Sequence, residues 1–166
     1  MIDFIALETP AGLQIVRDIA ADIWPKTFSP ILSPEQIAYM MQMMYAPEVM
    51  ERELEQGYRF FALRSDGRPA GYFSWSAYRP PETAKLHKVY LLQEFHGRGL
   101  GSRMIGEAEK QAAEAGFTKL RLNVNKYNER AKKAYLRNGF AVVESVKIDI
   151  GGGFFMDDFV MEKILS

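Results

Sequence analysis

The sequence predicts an α/β protein built on a mixed, mostly antiparallel sheet of about seven strands, with helices on both faces and one parallel strand pair near the middle. Three observations carry that reading. Short apolar runs of strand length alternate with stretches of helical periodicity. Two pairs of runs are joined by tight, glycine-bearing turns, which make antiparallel neighbours. From Val89 onward, strand, glycine loop, helix and strand follow one another, which requires a parallel pair with a right-handed crossover.

In order, Ile2 to Leu7 reads as a strand closed by Thr9-Pro10, with Pro10 suited to a helix start. Ile15, Ile19 and Ile23 then mark one apolar helix face, and Pro25 is expected to end that helix. Ser33-Pro34-Glu35-Gln36 starts a second helix carrying Met40, Met41, Met43 and Met44, either as core or as an adaptable substrate wall. A third runs from Pro47 to about Gln56, stopped by Gly57. Tyr58 to Arg64 and Pro69 to Tyr78 form a hairpin around Asp66-Gly67, and Ala84 to Leu92 is the strand that feeds the glycine loop. The helix after the loop reaches Ala115 with Gly116 as its cap, and Thr118 to Val124 is the next strand. Asn128 caps a helix ended by Asn138-Gly139. Phe140 to Ile150 and Phe154 to Lys163, joined by Gly151-Gly152-Gly153, complete the sheet. With 166 residues and no linker or repeat, residues 1–166 read as a single domain that buries roughly two-thirds of its unfolded surface.

Composition narrows the chemistry. Lys plus Arg and Asp plus Glu are 21 each, so no basic field favours nucleic acid. The absence of cysteine removes disulfides, thiolate metal sites and a thiol nucleophile, and two histidines make metal chemistry improbable. No leader pattern opens the chain and no run approaches roughly 18 apolar residues, so no membrane association and a cytoplasmic location are expected.

The loop from Gly97 to Ser102 lies where a helix N-terminus offers unpaired N–H groups and about half a positive charge, a seat for a phosphate group. Its spacing is not that of a P-loop, since Gly106 is followed by Glu107-Ala108, nor of a dinucleotide fingerprint counted from Gly97 or Gly99. His96-Gly97-Arg98-Gly99-Leu100-Gly101 resembles the pyrophosphate motif Gln/Arg-x-x-Gly-x-Gly/Ala of the GNAT superfamily of CoA-dependent N-acetyltransferases. Asn128, Ala131, Tyr135 and Gly139-Phe140 resemble a second pattern of that superfamily, about thirty residues later and in the right order. His96 stands where Gln or Arg is usual, and a neutral imidazole would hold a pyrophosphate more weakly while leaving the backbone seat intact.

The resemblance implies a GNAT-type sheet whose central parallel pair splays apart, with acetyl-CoA as cosubstrate. Its pyrophosphate would be cradled by Gly97, Arg98, Gly99, Leu100, Gly101 and Ser102, its pantetheine held beside Leu91 and Asn128, and the Leu91 N–H would face the thioester carbonyl. Tyr135 matches the residue that in many GNAT enzymes protonates the CoA sulfur; its ordinary pKa of about 10 exceeds a thiol's of about 8.5. It also reads simply as packing beside Ala131 and Ala134. By strand alternation Lys85, His87, Val89 and Leu91 share a face, which makes His87 either the general base or an ordinary strand histidine. A histidine similarly placed occurs in arylalkylamine-type acetyltransferases, whereas Lys85 departs from the glutamate that some GNAT enzymes place there, which disfavours a protein substrate.

The expected activity is therefore direct acetyl transfer from acetyl-CoA to the primary amine of a small molecule. Trp24, Thr27, Phe28, the Met cluster and Asp157-Asp158 resemble members that act on polyamines, although both aspartates also read as solvated strand-end charges. The rival reading is a CoA-binding regulatory or assembly module without turnover, and a third is an ATP- or NAD-binding protein. Exposed edge strands are surfaces through which a homodimer would form.

Overall fold

A computed structural model describes residues 1–166. Strand β1 (Ile2–Ala6) leads into three helices, α1 (Pro10–Phe28), α2 (Pro34–Tyr45) and α3 (Pro47–Glu55). Then come β2 (Arg59–Ser65), β3 (Arg68–Ala77), β4 (Thr83–Leu91), α4 (Leu100–Glu114), β5 (Lys119–Asn125), α5 (Glu129–Arg137), β6 (Ala141–Gly151) and β7 (Phe154–Ile164). The strands make one seven-stranded sheet in the order β1-β2-β3-β4-β5-β7-β6. Every neighbouring pair is antiparallel except β4 and β5. The expected mixed α/β sheet with one central parallel pair is the one observed.

Side chains that could bond to their own backbone sit where the helices begin. Thr9 accepts from the Gly12 N–H, Ser33 from Gln36 and Asn128 from Ala131, each satisfying a donor the helix cannot. One expectation fails: α1 does not stop at Pro25 but continues to Phe28. Proline removes the hydrogen bond to the carbonyl four residues back, that of Ala21, but both residues are exposed, so that carbonyl is not stranded in the core. The extra turn is held because Trp24 and Phe28 lie one above the other, ring centroids 4.4 Å apart, in the core.

The sheet separates two cores. On one face Phe73, Trp75, Leu86, Leu120 and Leu122 pack with Met104, Ile105 and Ala108 of α4. On the other, Phe60, Ala62 and Tyr72 pack with Leu13, Val16 and Trp24 of α1 and Met50 of α3. Two irregularities in β4 position the site. Opposite β3, Trp75 faces Leu86 and the next residue back, Ser74, faces Lys88, so His87 is the extra residue of a β-bulge. Against β5, pairing runs only from Thr83 to Leu86, whereas β3 follows β4 to Leu91 and β7 follows β5 to Asn125. Beyond Leu86 the central parallel pair is splayed.

Candidate active site

The glycine loop follows a short 3-10 turn, Gln93–Phe95, pinned by burial of Phe95. Gly99 caps α4 with φ +72°, and Gly97 has φ +82°, values that favour glycine; a Cβ at Gly97, Gly99 or Gly101 would meet nothing within 4 Å. No acidic side chain sits in the first turn of α4. None of the N–H groups from Gly97 to Ser102 finds a backbone acceptor, the first helical bond being Arg103 to Gly99. The result is an open row of donors at the positive end of α4, which fits a pyrophosphate. Leu100 is buried in the core and can contribute only backbone to that seat, while the exposed Arg98 lays its guanidinium over the Phe95 ring, 5.5 Å from the centroid.

A cavity of about 270 Å³ leads from this loop into the splay between β4 and β5, past Leu91, Asn128 and Tyr135. Leu92 donates its N–H to Ala70 of β3 at 2.8 Å, and successive groups in a strand alternate sides. The Leu91 N–H and carbonyl therefore point the other way, into the gap. His96 does not reach for the phosphate seat: its Nε2 lies 3.0 Å from the Leu91 carbonyl oxygen, so that nitrogen carries the proton and donates, and partial burial lowers the ring's pKa. The Tyr135 ring meets Phe140 edge-on and lines the cavity; burial, with no hydrogen bond to offset it, pushes its phenol well above the ordinary value. Its proton is thus retained across the neutral range.

A second cavity of about 320 Å³ abuts the first and shares Val89, Tyr90, Asn128, Ala131 and Tyr135 with it. Its far wall comes from Trp24, Phe28, Met40, Met43, Met44 and Met156, so the methionine cluster divides: Met40 is also core, while Met43 and Met44 are half-buried cavity wall. The bulge corrects the expected shared face of His87 and Leu91. Leu86, Val89 and Leu91 pack on the α4 side, whereas His87 bonds Ser76 Oγ through Nε2 at 2.7 Å and stacks on Tyr58 at 4.3 Å, on the α1 to α3 side. Burial first, then Lys88 and Lys85, pushes its imidazole down to about 3 from 6.5. Desolvation of its charged form beside two cations opposes the basicity expected of it near neutral pH.

Charges elsewhere in this cavity are mostly spoken for. Buried Lys88 lies 3.3 Å from Glu53 Oε1 and above the Tyr45 and Phe60 rings. The expected aspartate pair splits by strand alternation: Asp157 joins Lys126 at 2.7 Å, while Asp158 is 3% exposed and has only Asn123 Nδ2 at 3.5 Å. Burial raises the Asp158 pKa.

A family model, the Acetyltransferase (GNAT) family, matches residues 13–140. The chain belongs to this family. It is an acyl-transferring enzyme, and its acetyl donor is acetyl-CoA. An uncharacterised N-acetyltransferase of Mycobacterium bovis is 28% identical over 148 residues, covering 89% of this chain and 94% of that one. A spermidine N(1)-acetyltransferase of Thermoplasma acidophilum is 26% identical over 156 residues, covering 91% and 90%. The crystal structure of the PaiA N-acetyltransferase from Thermoplasma acidophilum in complex with coenzyme A superposes with a TM-score of 0.82 at 25% identity, covering 99% of each chain.

Within this GNAT acetyltransferase three side chains not singled out by motif also stand at the site. Arg130 and Arg137 of α5 line the cavity at the glycine loop and bring positive charge to a phosphate seat. Asn138 donates to Ser102 Oγ at 3.1 Å and to the Ala134 carbonyl at 2.8 Å, tying the start of α4 to the end of α5. Arg130 and Arg137 could have been found as cations flanking the Asn-x-x-Ala-x-x-x-Tyr pattern, but only the fold brings Asn138 to Ser102.

Proposed function

We propose that this enzyme transfers the acetyl group of acetyl-CoA directly to the primary amine of a small molecule, with a polyamine the favoured acceptor. The observation that supports it is the splay of β4 from β5, where a cavity on the glycine-loop side abuts a second one at Tyr135. Acetyl-CoA supplies an activated thioester carbonyl and a thiol leaving group. The N–H groups from Gly97 to Ser102, with Arg130 and Arg137, would hold its pyrophosphate; the buried Leu100 serves through backbone alone. Leu91 would present its N–H in the gap, and Asn128, whose Oδ1 caps α5, keeps its amide donors for the same ligand. Tyr135 would stand on the leaving-group side with its phenol protonated and donate a hydrogen bond to the departing sulfur; the burial that raises its pKa also makes it a weaker acid, so proton transfer would follow C–S cleavage rather than drive it. His87 is a wall of the acceptor cavity held neutral, not the base.

The polyamine preference draws on the Thermoplasma acidophilum spermidine N(1)-acetyltransferase and on a carboxylate without a cation partner in a cavity of aromatic and thioether walls. Residues 1–166 act in this reading as one domain.

The deciding measurement is acetyl-CoA consumption over spermidine, spermine, butylamine, tyramine and a lysine peptide. Saturable turnover with the aliphatic amines and not the peptide is expected. Saturable CoA binding with no turnover on any of them would replace this reading by that of a CoA-binding module.

A further inference from the structure

We propose that Asp158 is the seat of the acceptor amine: its carboxylate binds the ammonium group and takes the proton that must leave before the nitrogen can attack. This rests on the acetyl-acceptor reading above and adds to it the residue that recognises the amine.

Two carboxylates line the acceptor cavity. Glu53 is neutralised by Lys88, whereas Asp158 forms no ion pair and has one long hydrogen bond to Asn123. A buried carboxylate with no cation in ion-pair contact is costly even with lysines nearby, and a cationic ligand would complete it. Its place suits that task. Asp158 stands opposite Asn125 in the ladder, at the end of β5, where β4 has already departed, so the gap lies beside it. Phe159 and Met161 pack on the α4 side, so Asp158 projects to the opposite side, into the cavity whose shared border with the cofactor cavity is Tyr135. The groups facing it are Lys85 and Tyr90 from β4, Asn123 from β5, Lys126 beyond β5 and its neighbour Asp157. Lys85 has no carboxylate within ion-pair reach and lies over the Tyr78 ring at 5.2 Å, so it opposes an ammonium there and favours its neutral form. Burial raises the Asp158 pKa and makes it a better proton acceptor than an exposed aspartate.

The protons balance. R–NH3⁺ gives one proton to Asp158, which passes it to solvent. The neutral nitrogen forms the N–C bond as the C–S bond breaks, and the second proton it loses matches the one taken up by the departing sulfur.

The test uses Asp158→Asn, which keeps shape and removes charge, with calorimetric binding of spermidine and butylamine to the CoA-loaded protein beside steady-state acetylation. Amine binding is expected to weaken by roughly tenfold or more. The rate constant kcat/KM should fall by roughly a hundredfold, with loss of the acid limb of its pH profile, while CoA affinity is unchanged. His87→Gln should retain that limb. Unaltered amine binding and an unaltered limb in Asp158→Asn overturn the assignment, as does a wild type that binds neither amine. A wild type that binds the amines through Asp158 but turns over none leaves the seat standing and refutes the acetyl-acceptor reading.

Discussion

The sequestered His87 makes a quantitative pH prediction. The group has its folded pKa depressed to about 3, against an ordinary 6.5. Its contribution is complete above the unfolded value and is lost as pH falls from 6.5 toward 3, because the unfolded chain takes up a proton that the folded one refuses. At about pH 5 the unmatched protonation spans roughly 1.5 decades, and at about 1.36 kcal/mol per decade this removes ~2 kcal/mol. The ring is not wholly enclosed, so solvent screening makes that an upper figure. His87→Gln keeps a polar partner for Ser76 but cannot titrate. Melting curves of wild type and His87→Gln at about pH 7 and pH 5 should differ in their acid shift by about 4–8 °C, wild type losing more, at roughly 2–4 °C per kcal/mol. Carboxylates that protonate in the same range are common to both proteins and cancel. Equal shifts, or a His87 ring resonance titrating near its ordinary value, would refute the reasoning and return His87 to candidacy as the base.

Gly99→Glu should abolish CoA binding measured by calorimetry. The φ of +72° costs a side chain about 1–2 kcal/mol, but the space is open and a carboxylate suits a helix N-terminus, so the fold should survive while the anion seat is occupied. Retained CoA affinity would sink the loop assignment. Tyr135→Phe should leave CoA affinity and melting temperature nearly unchanged, since the hydroxyl bonds no protein group, yet lower turnover by roughly ten- to a hundredfold. Unchanged turnover across pH would make Tyr135 purely structural. Asp158→Asn should raise the melting temperature at neutral pH: a raised pKa means stability falls as pH climbs through it, and the gain should vanish in acid below the ordinary aspartate value. Equal melting of the two proteins at neutral pH would show that the carboxylate is not strained by burial.

Most of the architecture was legible because it is local. Thr9, Ser33 and Asn128 announce helices by the bond each makes to its own backbone, and Asp66-Gly67 announces a hairpin by needing positive φ at both residues, 50° and 83°. The glycines and Asn128, picked out by motif spacing, line one cavity. What the sequence hid is set by partners far along the chain. Pro25 signals a stop, yet whether a helix survives it depends on where Ala21 and Phe28 face. The bulge at His87 is invisible in β4 itself, for an extra residue exists only relative to Ser74 and Trp75 opposite. Likewise Asp157 and Asp158 look alike until Lys126 takes one of them and the cavity the other.

That single inserted residue decides where the charges of the site lie. Val89 and Leu91 must stay on the α4 side to pack there, with the Leu91 backbone in the gap. With strict alternation, Lys85 and His87 would follow them into an apolar core of Met104, Ile105 and Ala108, where an unpaired lysine costs several kcal/mol. The bulge shifts the phase of β4 by one, so Ala84 and Leu86 fill that core while Lys85, His87, Lys88 and Tyr90 line the cavity on the other side of the sheet. The same strand thereby leaves the Leu91 N–H bare in the gap on one side and, on the other, sets Lys85 and Lys88 beside a buried His87, while Lys88 takes Glu53 and Asp158 is left without an ion pair. Restoring strict alternation by deleting His87 should therefore damage both sides at once, whereas His87→Gln, which keeps the bulge, should leave CoA affinity at the wild-type level.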